Sequence, residues 1–167
     1  NVIPKKRGTP GFYHFGCVIT VGAALLRLYQ LGAWSFWGDE MLSVVGTPDG
    51  FNTSWLRESL SLALIQSVTG RFGITEWTAR LVPAVVGIAS VPILYFPIRR
   101  LFDTPTALVA CLLLALSPWH LYWSQNARFY GLLLLFYTLA LLLFYLALEE
   151  DRPGYAMLSL LCFACIS

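Results

Sequence analysis

Apolar residues fall in long blocks along this chain, each closed by a short polar break. A bilayer core needs about 20 consecutive apolar residues in a helix. On that measure the blocks predict about five transmembrane helices, at 11–31, 76–98, 105–123, 129–148 and 155–167, the last cut short. The first block is too long for the apolar part of a signal peptide, which spans about 7–15 residues. Between the first two blocks, residues 42–53 carry turn formers in quick succession and read as loop. Apolar positions then recur at helical period from 54 to 68, interrupted by Arg57, Glu58, Ser61 and Gln66, which predicts a helix lying along the membrane interface. Thr69-Gly70-Arg71-Phe72-Gly73 reads as a turn, Thr75 as the N-cap of the second span, and Asp103-Thr104-Pro105 as the cap and first turn of the third. Pro83, Pro92 and Pro97 are expected to bend the second span.

Composition agrees with this all-α, polytopic membrane class. The chain is 57% hydrophobic and 12% charged, with a mean hydropathy of +0.68; soluble domains average about 45–50% and about 25%. No stripe of lysine and arginine suits nucleic acid, and none is expected as a partner. Cys17, Cys111, Cys162 and Cys165 all lie in apolar blocks. Cys162 and Cys165 have CxxC spacing without a histidine or a second pair, so they read as small hydrophobes and no metal site is expected. No cofactor is expected either. The chain begins at Asn1 and stops at Ser167 inside an apolar run, which reads as the N-terminal part of one larger transmembrane domain spanning 1–167 here.

Basic residues favour the cytoplasmic side of a span. Lys5-Lys6-Arg7, Arg99-Arg100 and Arg152 therefore put the N-terminus inside, with 34–75 and 124–128 outside and 99–104 and 149–154 inside. The outer side then holds Arg27, Arg57, Arg71, Arg80 and Arg128, and no lysine. Arginine is suited to forked recognition of phosphate. For Arg80 the plainer expectation is a side chain that snorkels to the interface.

The first outer segment opens with Trp34-Ser35-Phe36-Trp37-Gly38-Asp39-Glu40-Met41. Tryptophan belongs at the membrane–water interface, and acids placed there are expensive. A second polar set, Gln125, Arg128 and Tyr130, lies between the third and fourth spans; if that stretch is helical, Gln125 and Arg128 share a side. A carboxylate can take a proton from an attacking hydroxyl, and an arginine can hold a phosphate as charge grows on it. Together they suit displacement of a lipid phosphate from a sugar. A structural salt bridge would use the same residues.

The Asp39-Glu40 pair, placed after the first span, resembles the motif of the dolichyl-phosphate-mannose protein mannosyltransferase superfamily. That group includes bacterial lipid A aminoarabinose transferases and related polyprenyl-phosphate-sugar transferases. Arg27-Leu28-Tyr29, the stretch Phe72 to Arg80, Arg99-Arg100-Leu101-Phe102 and the stretch Ser117 to Tyr130 resemble its pattern in the same order. Members often carry a His-Pro-Pro-like element on the interfacial helix, where this chain reads Ser59-Leu60-Ser61-Leu62-Ala63-Leu64. The resemblance implies a C-type membrane glycosyltransferase fold, a polyprenyl-phosphate-linked donor and inversion at the sugar carbon. It also implies a hydroxyl-bearing protein, lipid or glycan acceptor. Asp39 then becomes the candidate base, with Glu40 beside it for orientation or acceptor contact. Arg128, Gln125 and Tyr130 become candidates for the donor phosphate, with Arg57 and Arg80 as further candidates. The corresponding location is the plasma membrane of a prokaryote, with the site facing outward. A non-catalytic membrane subunit and a transporter are the alternative classes; a transporter's charges usually lie near the midplane, whereas these lie at helix ends.

Overall fold

The structure, a computed structural model, describes residues 10–44 and 60–165, with side chains from His14 onward. The expectations for Lys5-Lys6-Arg7, for Arg57 and for residues 45–59 lie outside the described residues. All regular structure among the described residues is helical: α1 (Pro10–Leu28), α2 (Gly38–Val44), α3 (Leu60–Phe72), α4 (Glu76–Leu101), α5 (Thr104–Leu116), α6 (Pro118–Ser124), α7 (Tyr130–Glu150) and α8 (Pro153–Ala164).

α4 is the central element and packs against α1, α3, α5, α6 and α7. Its start follows from the sequence: Thr75 and Thr78 form a reciprocal capping box, with Thr78 N–H donating to Thr75 Oγ1 at 3.1 Å. Glu76 in the first turn and Arg99 and Arg100 in the last complement the helix dipole. The helix is assigned as one element through Pro83, Pro92 and Pro97. Asp103 caps α5 by accepting from Thr106 N–H at 2.8 Å. This exposed loop carboxyl is held below its ordinary pKa by the hydrogen bonds from Thr106.

Among the described residues, two helices, α4 and α7, are long and apolar enough to cross a membrane. At 1.5 Å per residue they reach about 39 and about 32 Å, against a core of about 30 Å. The expected third span is broken. α5 and α6 differ in direction by 59°, because Pro118 has no N–H to continue the helix and Ser117 before it takes an extended ψ of 119°. Counting that bent pair as one span gives three; α1 and α8 are apolar but shorter. Three local expectations also change. Leu42–Val44 belong to α2 rather than a loop. α3 continues to Phe72, beyond the expected end at 68, and the turn narrows to Gly73 at φ 87°. Residues 125–129 form a turn between α6 and α7, not a helix.

Among the described residues, two buried clusters hold the bundle. Ala23, Val91, Tyr95, Ala107, Cys111 and Ala115 join α1, α4 and α5. Val44, Leu62, Ile65, Ala79 and Ala127 lie where α2, α3, α4 and the 125–129 turn meet. Large apolar side chains such as Val18, Leu25, Leu113, Leu148 and Leu160 face outward, as lipid-facing positions do. At the far end of α4, Arg100 grips Glu150 with a two-pronged ion pair that ties α4 to α7.

Candidate functional site

The acids arrive on α2, a helix of seven residues that follows the turns after α1. Successive residues on a helix point about 100° apart, so neighbours meet different surroundings. Glu40 turns inward and is fully buried. Its Oε1 accepts from Arg80 Nε at 2.9 Å and from the backbone N–H of Ala127 at 2.8 Å. Its Oε2 accepts from Arg80 Nη2 at 2.7 Å and, more distantly, from Trp37 N–H at 3.5 Å. A buried charge paired this fully meets the condition for leaving water.

Arg80 does not snorkel. It sits one turn inside the start of α4, buried against the 31–35 turn with Phe36 over its guanidinium. Nη1 donates to the carbonyls of Leu31 at 3.1 Å and Trp34 at 2.9 Å, and Nη2 to Ser35 at 3.3 Å. With the two bonds to Glu40, all five of its donors are committed. In this arrangement Arg80 has none left for a phosphate.

Asp39 turns the other way, and half of its side chain is exposed. Arg128 approaches it from the turn after α6. Nη1 donates to the Asp39 carbonyl at 3.0 Å and to Ser43 Oγ at 3.1 Å, while Nη2 stands 3.8 Å from Asp39 Oδ2. Nε of Arg128 is buried and has no hydrogen-bond partner among the described residues. The Nε–Nη2 edge, the one that forks onto an oxyanion, is thus uncommitted apart from that loose ion pair. The guanidinium lies 5.4 Å from the Phe129 ring and 5.9 Å from the Tyr130 ring. Tyr130 packs in turn on Trp123, centroids 4.1 Å apart. Trp37 closes another side by donating from Nε1 to Asn126 Oδ1 at 3.0 Å.

Gln125 does not share a helical face with Arg128, because the chain leaves helix there. Its amide instead donates to the carbonyls of Leu26, Arg27 and Tyr29 at 3.1, 3.3 and 3.0 Å. Carbonyls at a helix C-terminus lack intrahelical partners, so Gln125 fastens the 125–129 turn to the end of α1.

Sequence reasoning missed a second polar cluster next to this one. Arg27 is fully buried and donates to Ala23 O at 3.1 Å, Ala115 O at 3.3 Å, Leu114 O at 3.4 Å and His120 Nδ1 at 2.6 Å. Both carbonyls lie at the end of α5 broken at Pro118; Leu114 O also accepts from the Ser117 N–H at 3.3 Å. Ser124 Oγ donates to His120 O at 2.6 Å and faces Gly87, where an added Cβ would stand 2.1 Å from that oxygen. An arginine and a histidine inside apolar blocks were the available signal. Among the described residues, no three His, Cys, Asp or Glu side chains cluster as metal ligands would.

A membrane helix bundle that gathers an acid and an uncommitted arginine at one end of its central helix suits transfer chemistry on a phosphorylated lipid. Comparison with known proteins identifies the class. The profile of the dolichyl-phosphate-mannose-protein mannosyltransferase family matches residues 60–166, and the chain belongs to that family. The match covers Arg80, His120, Gln125, Arg128 and Tyr130 and begins after Asp39 and Glu40. Membership makes this a membrane protein of the glycosyltransferase, mannosyltransferase-like class. No curated protein and no solved structure gives a significant match.

Proposed function

We propose that this chain carries the base and the donor-phosphate ligand of an inverting glycosyltransferase that uses a polyprenyl-phosphate sugar. Asp39 takes the proton of an acceptor hydroxyl. The freed oxygen attacks the anomeric carbon, the bond from that carbon to the phosphate oxygen breaks, and the lipid phosphate leaves with the electron pair. Phosphate is a good leaving group, so no general acid is needed. Arg128 holds the departing phosphate through its Nε–Nη2 edge. The acceptor is a hydroxyl on a protein, lipid or glycan, and the site faces away from the cytoplasm. Tyr130 lines the Arg128 side.

One observation carries this reading: Asp39 is half exposed beside an arginine whose forking edge is uncommitted, while the neighbouring acid and arginine are closed on each other. Glu40 and Arg80 thereby become the frame of the site, and Gln125 a fastener, rather than substrate ligands. The test is Asp39→Asn in the full-length protein, assayed with a panel of polyprenyl-phosphate sugars. Turnover should fall by roughly 10²–10⁴-fold, the span of acid–base catalysis, with donor affinity nearly unchanged. A stable Asp39→Asn protein that turns over normally would remove the base assignment. Donor binding without transfer by the wild type would favour a non-catalytic subunit.

A further inference from the structure

The turn that bears Arg128 follows directly on α6, so the setting of α6 bears on the arginine together with the turn's own ties at Gln125, Asn126 and Ala127. α6 has seven residues, of which His120 and Ser124 are buried. Its backbone is cut off from α5 by the 59° break, and helix continuity therefore does not orient it. Side chains do. Arginine can only donate, so His120 Nδ1 at 2.6 Å from Arg27 Nη2 must carry the lone pair. The ring proton then sits on Nε2, which faces Ser90 Oγ at 3.3 Å. Ser90 Oγ donates in turn to Gly87 O at 2.7 Å. One neutral imidazole is thus held from both sides, by α1 through Arg27 and by α4 through Ser90.

His120 touches neither acid, nor Arg128, in this arrangement. We propose that it is a positioning residue for donor binding: by latching α6 to α1 and α4, it fixes the 125–129 turn and the direction of the uncommitted edge of Arg128. The inference rests on Arg128 being the phosphate ligand. The Arg27 arm is the decisive one, because the same guanidinium holds the broken end of α5 through Leu114 and Ala115.

Two polar replacements separate the arms. His120→Asn can present its side-chain oxygen where Nδ1 stood and keep the Arg27 bond. His120→Gln reaches the Nε2 position and Ser90 but leaves the Arg27 donor unmet. Donor Kd is to be measured with a polyprenyl-phosphate sugar on full-length protein, in wild-type and Arg128→Lys backgrounds, with thermal stability recorded in parallel. His120→Gln should weaken donor binding about tenfold or more, as small misplacements of a binding group do, and His120→Asn by about threefold or less. In the Arg128→Lys background the Gln effect should shrink to about twofold, since residues that act through one another are not additive. Equal losses for Asn and Gln, or a Gln loss of the same size in both backgrounds, would overturn the proposal and leave His120 a packing residue. Arg128→Lys alone with unchanged donor Kd would instead remove the phosphate assignment, and this inference with it.

Discussion

Asp39 and Glu40 are bonded neighbours with opposite accessibility: Glu40 is fully enclosed by Arg80 and the Ala127 amide, whereas Asp39 has half its side chain exposed beside Arg128. A paired-acid motif thus divides into one structural and one available carboxylate. The division comes from α2, whose turn of about 100° per residue sends the two side chains to different sides.

That division predicts different failures for the two acids. Glu40→Gln keeps the shape but sets an uncharged group against a committed guanidinium. Removing one partner of a buried ion pair costs about 3–5 kcal/mol. The variant should therefore lose thermal stability in detergent, with a lower yield of folded protein. A Glu40→Gln protein as stable as wild type would mean that the pair is wet and exchangeable.

Arg128→Lys replaces a fork with a point charge. We expect a loss of activity of about 10²-fold, comparable with removing a donor from an oxyanion site. Arg71→Lys, at the exposed end of α3, should change activity by less than about twofold. Steady-state assays on both variants decide the matter, and equal tolerance would return Arg128 to a purely structural role.

Gly87 of α4 faces Ser124 of α6 with no room for a side chain. A methyl group there would meet Ser124 Oγ at 2.1 Å and Arg27 Nε at 3.0 Å. Gly87→Ala should destabilise by about 1–3 kcal/mol, the usual cost of overpacking. Gly22→Ala, with open space around its added carbon, is the control. A Gly87→Ala melting temperature equal to that of the Gly22 control would show that α6 can move aside freely.

The orientation of the bundle is testable by labelling. In a background without its four cysteines, Ser35→Cys should react with a membrane-impermeant maleimide added outside, and Asp151→Cys should not. Both positions are exposed, so access depends on the side of the membrane. The reverse pattern would place the proposed donor site on the cytoplasmic face.

Much of the helical frame was legible because its signals are local. The caps at Thr75 and Asp103 depend on residues three positions apart, and the Asp39–Glu40 and Arg128 segments stood out as polar breaks between apolar blocks. What stayed hidden depends on contacts between distant segments. Nothing near Arg80 in sequence reveals that its five donors find Glu40 and the 31–35 turn. Gln125 and Arg128 have helical spacing, and only the break after Ser124 separates them. Pro118 was visible, but not the bend: whether a proline breaks or merely kinks a membrane helix depends on who satisfies the freed carbonyls. Here Arg27 does so for Ala115 O, from another helix, and shares Leu114 O with the Ser117 N–H.

The Glu40 contacts also bear on the order in which the chain can be assembled. Arg80 lies 40 residues after Glu40, and the Ala127 amide 87 residues after it. As the polypeptide emerges from a ribosome, the carboxylate has no guanidinium until α4 has been made. It lacks the Ala127 amide, the shorter of its two backbone donors, until α6 has followed. The frame around Asp39 therefore closes only once α6 has been made, and a chain stopped before Ala127 would leave Glu40 without that amide.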